Sequence, residues 1–187
     1  AQAYNSVAEH APDVDAALRY ECTLIASGAA YYADEPDRCV RLFEPWMEAP
    51  PQKDPRLLQM HANRLGMLSI LLGDPARARR HQQAAPRGAF GKAHSYATRV
   101  GDFVTGLSYL WEGQVLLGEE VLRPALASAE ADLGRRHPLA CMLASLLAAA
   151  LYERNQLDEA LALLANRLDI LERIGTPETA LFGYRTA

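Results

Sequence analysis

Four segments of the chain share one pattern: an apolar run, a tight polar turn and a second run with helical spacing. They are residues 30–39, 69–78, 109–118 and 151–160. Aligning them puts Asp34, Gly73, Gly113 and Asn155 in one column. Gly, Asn and Asp are the residues that best tolerate the left-handed conformation that ends a helix. Five residues later the column reads Cys39, Ala78, Gly118 and Ala160, and seven residues before the turn it reads Ser27, Gly66, Gly106 and Ala148. Small side chains at both places allow two helices to approach closely. The turn residues are spaced by 39, 40 and 42 positions. A steady period of that size marks a supersecondary unit that must stack on its neighbours to bury its apolar face. The predicted architecture is all-α, a stack of helix hairpins.

Helix starts agree with this register. Glu35–Pro36, Asp54–Pro55, Asp74–Pro75, His137–Pro138 and Thr176–Pro177 place proline where a first turn should begin, since its missing N–H would be unpaired there anyway. Predicted helices cover 14–33, 36–48, 55–72, 75–84, 92–112, 119–133, 138–154 and 157–174, with a ninth from 177. They make four hairpins (14–48, 55–84, 92–133 and 138–174) and the start of a fifth within one domain of residues 1–187. Pro45 and Pro124 recur inside second helices, either as a tolerated kink carried with the repeat or as helix boundaries. The leucines at 157, 161, 164, 168 and 171 form a stripe that reads as core. Residues 85–91 are the one long connector, where the stack is expected to loosen.

Composition narrows the function classes. Half the residues are hydrophobic, chiefly Ala and Leu, and aromatics are 7%, a balance that favours helix over strand. A net charge of −4 and no basic block beyond Arg77, Arg79, Arg80 and the Arg135–Arg136 pair argue against direct nucleic-acid contact. The first three of these arginines are expected on a solvated helix face. Residues 1–12 carry no signal-peptide pattern, and the apolar run 139–151 is too short to span a bilayer. Cys22, Cys39 and Cys141 form no close pair, which suits buried, reduced thiols in a cytoplasmic protein. His10, His61, His81, His94 and His137 are scattered, so no metal site is predicted.

Residues 147–160, LAAALYERNQLDEA, resemble the heart of a tetratricopeptide repeat, and Leu65–Gly66 with Gly73–Asp74 and Ala78 matches the same pattern. That resemblance implies a right-handed superhelical solenoid of antiparallel hairpins. The period exceeds the usual 34 residues, so helices longer than standard are expected. More specifically, Gly113, the segment 151–161, the run from Arg173 to Pro177 and Gly183-Tyr-Arg resemble the MalT-like regulators, ATP-dependent transcriptional activators of the LuxR type. The likeness covers the second half of the chain; the first half shares only the repeat architecture. In that family the helical repeats sense an inducer between a nucleotide-binding switch domain and a helix-turn-helix domain, which would be partners here. No G-x-x-x-x-G-K-[ST] stretch occurs in this chain, so no cofactor is expected, and no helix-turn-helix reader can be assigned. A last apolar helix without a polar cap suggests a segment of a longer protein.

No catalytic set stands out. Glu119–Glu120 and Asp158–Glu159 are explained as first-turn carboxylates that complement a helix dipole. Ser69 and Ser145 have no His or Asp at a predictable distance, and no G-x-S-x-G elbow is present. In tetratricopeptide stacks the first helix of each hairpin lines the concave face. Carried onto this chain, those positions give Tyr32 with Leu24, Gly28 and Tyr31; Asn63, Met67 and Ile70; Phe103, Leu107 and Trp111; and Ser145, Ala149 and Tyr152. Aromatics with a polar edge suit a small-molecule inducer or a peptide, although each also suits packing between hairpins. The expected function is that of an effector-sensing segment of a transcriptional regulator. A protein adaptor, or a spacer with no ligand, remain as alternatives.

Overall fold

A computed structural model of the chain describes residues 15–48, 54–86 and 92–187, together with Tyr4 and Pro50. Residues 87–91 of the expected connector, and His10, lie outside the described residues. Ten α-helices and no strand occur among the described residues: α1 (Ala16–Tyr32), α2 (Pro36–Phe43), α3 (Pro55–Leu71), α4 (Pro75–Ala84), α5 (Lys92–Trp111), α6 (Val115–Leu133), α7 (Pro138–Glu153), α8 (Leu157–Leu164), α9 (Leu168–Ile174) and α10 (Pro177–Thr186). The protein is all-α, as its sequence predicts. Two compact units divide it, residues 1–97 and 98–187.

The turn column is the clearest feature. Asp34, Gly73, Gly113 and Asn155 all have positive φ, at 58°, 79°, 69° and 59°. The residue after each turn donates its N–H to a carbonyl five residues back: Glu35 to Ala30, Asp74 to Ser69, Gln114 to Tyr109 and Gln156 to Leu151, at 2.8–2.9 Å. The turn residue itself donates to a carbonyl three back, at 2.9–3.1 Å. This is the Schellman arrangement, built four times in one register. The same residue that receives the chain after the turn then accepts the first bond of the next helix. Its donors are Cys39, Ala78, Gly118 and Ala160, the members of the first small column.

Both small columns are buried at every position. In the third hairpin the reason is plain, because a side chain at Gly106 would collide with Leu122 and one at Gly118 would come within 3.1 Å of Leu110. Four of the five proline starts are capped by a side chain before them. Asp54, Asp74, His137 and Thr176 accept from Leu57, Arg77, Leu139 and Thr179, whereas Glu35 makes no such bond.

In unit one, α1 packs on α2 and α3, and α3 packs on α4. In unit two, α7 contacts α6, α8, α9 and α10, and its residues from Leu139 to Leu151 are all buried. Arg167 is also fully buried here, pairing with Glu130 and donating to the Ala140 carbonyl at 3.1 Å.

Four expectations require correction. The sixth helix starts at Val115, not 119, so Gly118 lies inside it and Glu119–Glu120 fall beyond its first turn. Asp158 and Glu159 do occupy the first turn of α8. The helix expected over 157–174 breaks after Leu164, where Asn166 takes a φ of 62°. Within α8 itself Leu164 is core while Leu157 and Leu161 stand 45% and 46% exposed, and beyond the break Leu171 is core. The second helix ends at Phe43, and Pro45 sits in a 3-10 turn over Glu44–Trp46, whereas Pro124 is interior to α6. The two prolines therefore take the two different roles weighed for them. Arg77 and Arg80 are exposed, as expected, but Arg79 is half-buried.

Two outcomes test this account. No atom lies within 4 Å of a Cβ placed on Gly73, so Gly73→Ala should lose only backbone energy, about 1–2 kcal/mol. Asn155→Ala should lose a similar amount and Asn155→Gly should not, as read from urea unfolding midpoints. Glu130→Ala leaves the Arg167 guanidinium buried without its counter-charge and should cost about 3 kcal/mol in the same assay. Arg167→Met, which fills the volume without a charge, should cost markedly less.

Candidate functional site

The lining positions divide by burial. Asn63, Met67, Phe103 and Leu107 are buried, as are Leu24, Gly28, Tyr31, Ile70, Ser145 and Ala149. Trp111, Tyr32 and Tyr152 are 57%, 51% and 39% exposed. These three stand in the last turns of α5, α1 and α7, next to the left-handed turns, where the helix has moved out of its packed interior. Tyr32 belongs to unit one, and Trp111 and Tyr152 to unit two. Tyr152 already has a neighbour: the Arg185 guanidinium lies 5.9 Å from its ring centroid and donates to Glu153 at 2.6 Å. Ser145 is covered by α10, donating its hydroxyl to the Thr179 carbonyl at 2.6 Å.

Asn63 belongs to a buried amide network. Its Nδ2 donates to the Ala97 carbonyl at 2.8 Å, and its Oδ1 accepts from Gln59 Nε2 at 3.0 Å. The same Gln59 nitrogen donates to Gln82 Oε1, while Gln82 Nε2 donates to the Ala62 carbonyl. Buried amides need such partners, because an unmade bond costs the full desolvation of the group. The four-residue spacing of Gln59 and Asn63 on one helix was the available signal; Gln82, on another helix, offered none.

A second cluster joins α1, α2 and α3. Tyr20 Oη lies 2.8 Å from His61 Nδ1, and both rings contact Phe43. Trp46 meets Tyr20 edge-on at 5.2 Å. Burial raises the Tyr20 phenol well above its ordinary range. Burial, reinforced by the charge of His81, lowers His61 to about 4. At neutral pH the imidazole is therefore uncharged, and one of its nitrogens accepts from or donates to Tyr20 according to tautomer.

Charged residues of unit two tie helices together. Glu119 accepts from Arg123 at 2.7 Å and also pairs with Arg154, and Arg123 reaches Glu159 at 2.6 Å. Partial burial opposes ionisation of Glu119, but the hydrogen bonds and charges of Arg123 and Arg154 outweigh it and hold its carboxyl below the usual range. The Arg135–Arg136 pair caps the end of α8: Arg135 donates to the Ala162 carbonyl at 3.0 Å and Arg136 to that of Asn166. Arg136 also pairs with Asp169 at 2.7 Å. These basic side chains answer the carbonyls left open where α8 breaks.

At that break lies an open cleft of about 280 Å³, lined by Leu161, Leu164, Ala165, Asn166, Leu168, Asp169 and Ala187. None of the sequence-derived lining residues borders it. All three cysteines are buried free thiols. Among the described residues no group of three or more His, Cys, Asp and Glu is placed to hold a metal, and no helix is long and apolar enough to cross a membrane. No family model matches the chain, and no curated protein is significantly similar to it.

His61 gives a pH prediction. Its folded pKa lies below the ordinary 6.5, so the unfolded chain binds the extra proton first. The stabilisation is complete above about pH 6.5 and is lost as pH falls toward 4. The slope from this group should approach about 1.4 kcal/mol per pH unit. Urea melts between these limits should show it, and His61→Gln should flatten it.

Proposed function

We propose that the chain is an effector-sensing and protein-interaction repeat segment, without catalysis of its own, from a bacterial MalT-like transcriptional regulator working in the cytoplasm. In this reading its hairpins stack as a right-handed tetratricopeptide-like solenoid. The observation that carries the proposal is the fourfold Schellman turn with its two buried small columns, because such a repeated hairpin is the unit from which binding solenoids are assembled. The residues resembling the MalT-like repeats are Gly113 at the third turn, 151–161 across the fourth turn with its flanking helix ends, Arg173 to Pro177 from the end of α9 to the first residue of α10, and Gly183-Tyr-Arg within α10. An inducer would bias the regulator by binding one of its states more tightly than the other.

A second reading is supported by the exposed apolar side chains of unit two. Trp111, Leu116, Leu117, Leu157 and Leu161 are all exposed, and such residues on helix surfaces suit a partner helix or peptide. Under this reading the chain is an adaptor rather than a metabolite sensor.

The two separate experimentally. The parent gene should encode a P-loop domain before this segment and a helix-turn-helix domain after it; absence of both would sink the regulator assignment. A thermal-shift series with sugars, aromatic acids and peptides should find a stabilising small molecule, and Trp111→Ala with Tyr152→Ala should abolish the shift. Both side chains are substantially exposed, so these substitutions should leave the unliganded midpoint within about 2 °C. A stable protein partner with no response to any metabolite would favour the adaptor.

A further inference from the structure

Helix α8 has two apolar sides, and the fold covers one of them. Ala160 and Leu164 are buried where α8 packs on α7. Leu157 and Leu161, four residues apart and so on one stripe, stand about half exposed. One more step of four reaches Ala165, the residue that ends the helix. Leu161 and Ala165 also line the cleft at the break, together with Leu164 and Leu168. An exposed apolar strip therefore runs along α8 and opens into a recess of about 280 Å³. That recess is open and small for a cavity that must enclose a free ligand, but it has room for one aliphatic side chain.

Charge decides what kind of segment fits there. Residues 98–187 carry twelve acidic side chains, eight arginines and no lysine, so the formal charge of −4 of the whole chain falls on this unit. Seven of the eight arginines pair with carboxylates of the same unit, and Arg135 donates to the Ala162 carbonyl. Two exposed carboxylates beside the strip have no ion-pair partner among the described residues. They are Asp158, next to Leu157 on α8, and Glu172, four residues beyond Leu168 and on its side of α9. A second copy of the chain would bring the same excess of carboxylates to the contact, and anionic lipid or nucleic acid would be repelled for the same reason.

We propose that the strip and its cleft form the docking groove for a basic amphipathic helix of a partner protein. Two aliphatic side chains of that helix, four residues apart, would lie along Leu157 and Leu161, and one of them would enter the cleft. Lysines or arginines flanking them would meet Asp158 and Glu172. The carboxylates give orientation and speed of encounter, and the leucines give the buried area. This assignment rests on the adaptor reading given above and names its partner class. It sets that partner on the second helix of a hairpin, away from the lining positions of the first helices.

The test uses the whole 187-residue chain and a fluorescent model helix of leucine and lysine, roughly 18 residues long with its leucines on one face, read by anisotropy. Its controls are the same helix with glutamate in place of lysine, and a peptide of the same leucine and lysine content in scrambled order. The lysine helix should bind at least about tenfold more tightly than either control. Leu157→Ser with Leu161→Ser should weaken it at least about tenfold; both side chains are exposed enough that the unfolding midpoint should stay within about 4 °C. Asp158→Asn with Glu172→Gln should weaken it about threefold or more, and binding should then depend less on salt. If the leucine variant fails to fold, the charge variant decides. Equal binding of the lysine and glutamate helices, no binding of the lysine helix, or undiminished binding by either variant would overturn the proposal. So would a dimer, seen by light scattering, that Leu161→Ser dissolves, because a second copy would then hold the strip. Loss of binding on Leu116→Ser with Leu117→Ser, with the α8 variants unaffected, would overturn this groove and leave the adaptor reading standing on α6. Failure of the adaptor reading shows differently, as a metabolite-induced shift with no protein partner.

Discussion

Everything in the fold follows from how its helices stop. An α-helix leaves its last carbonyls without partners, and here four helices solve the problem by one device: a left-handed residue that folds the chain back so that two N–H groups reach those carbonyls. The same device fixes the length of the connection and the phase of the next helix. Because the phase is fixed, the residue five positions after the turn always faces the first helix, and it must be small. Cys39, Ala78, Gly118 and Ala160 are consequences of Asp34, Gly73, Gly113 and Asn155.

What depends on such local rules was legible in the sequence. The left-handed column, the small columns and the proline starts are all decided within a few residues, by sterics and by hydrogen bonds that the local chain must make. What depends on distant partners was not. Gly118 is expected just before a helix starting at 119, yet that helix starts at Val115 and includes it. The leucine run from 157 reads as one stripe, yet Asn166 interrupts it, and Leu157 and Leu161 turn outward. Of the expected lining residues, burial separates Asn63, Met67, Phe103 and Leu107 from Tyr32, Trp111 and Tyr152, a division that a periodic pattern cannot draw.

The polar interior was the least legible part. Gln59, Asn63 and Gln82 satisfy one another across helices, and His61 stays neutral beneath Tyr20. Arginine performs three different tasks. Arg135 and Arg136 supply donors to a broken helix end, Arg99 and Arg167 form matched ion pairs, and Arg64 spans two helices without a matching anion. These roles are not written in the sequence, because each depends on which carbonyl or carboxylate the fold delivers to the residue.

The brevity of the four turns also bears on how the chain reaches its native state. A reversal completed in three residues keeps the partners within each hairpin close along the chain, and the entropy lost in closing so short a loop is small. Proteins dominated by such nearby pairings have low contact order and fold on microsecond to millisecond timescales. A nascent chain of this kind can complete each hairpin soon after its second helix is synthesised, well before the following one exists, and so spends little time with long apolar stretches open to aggregation.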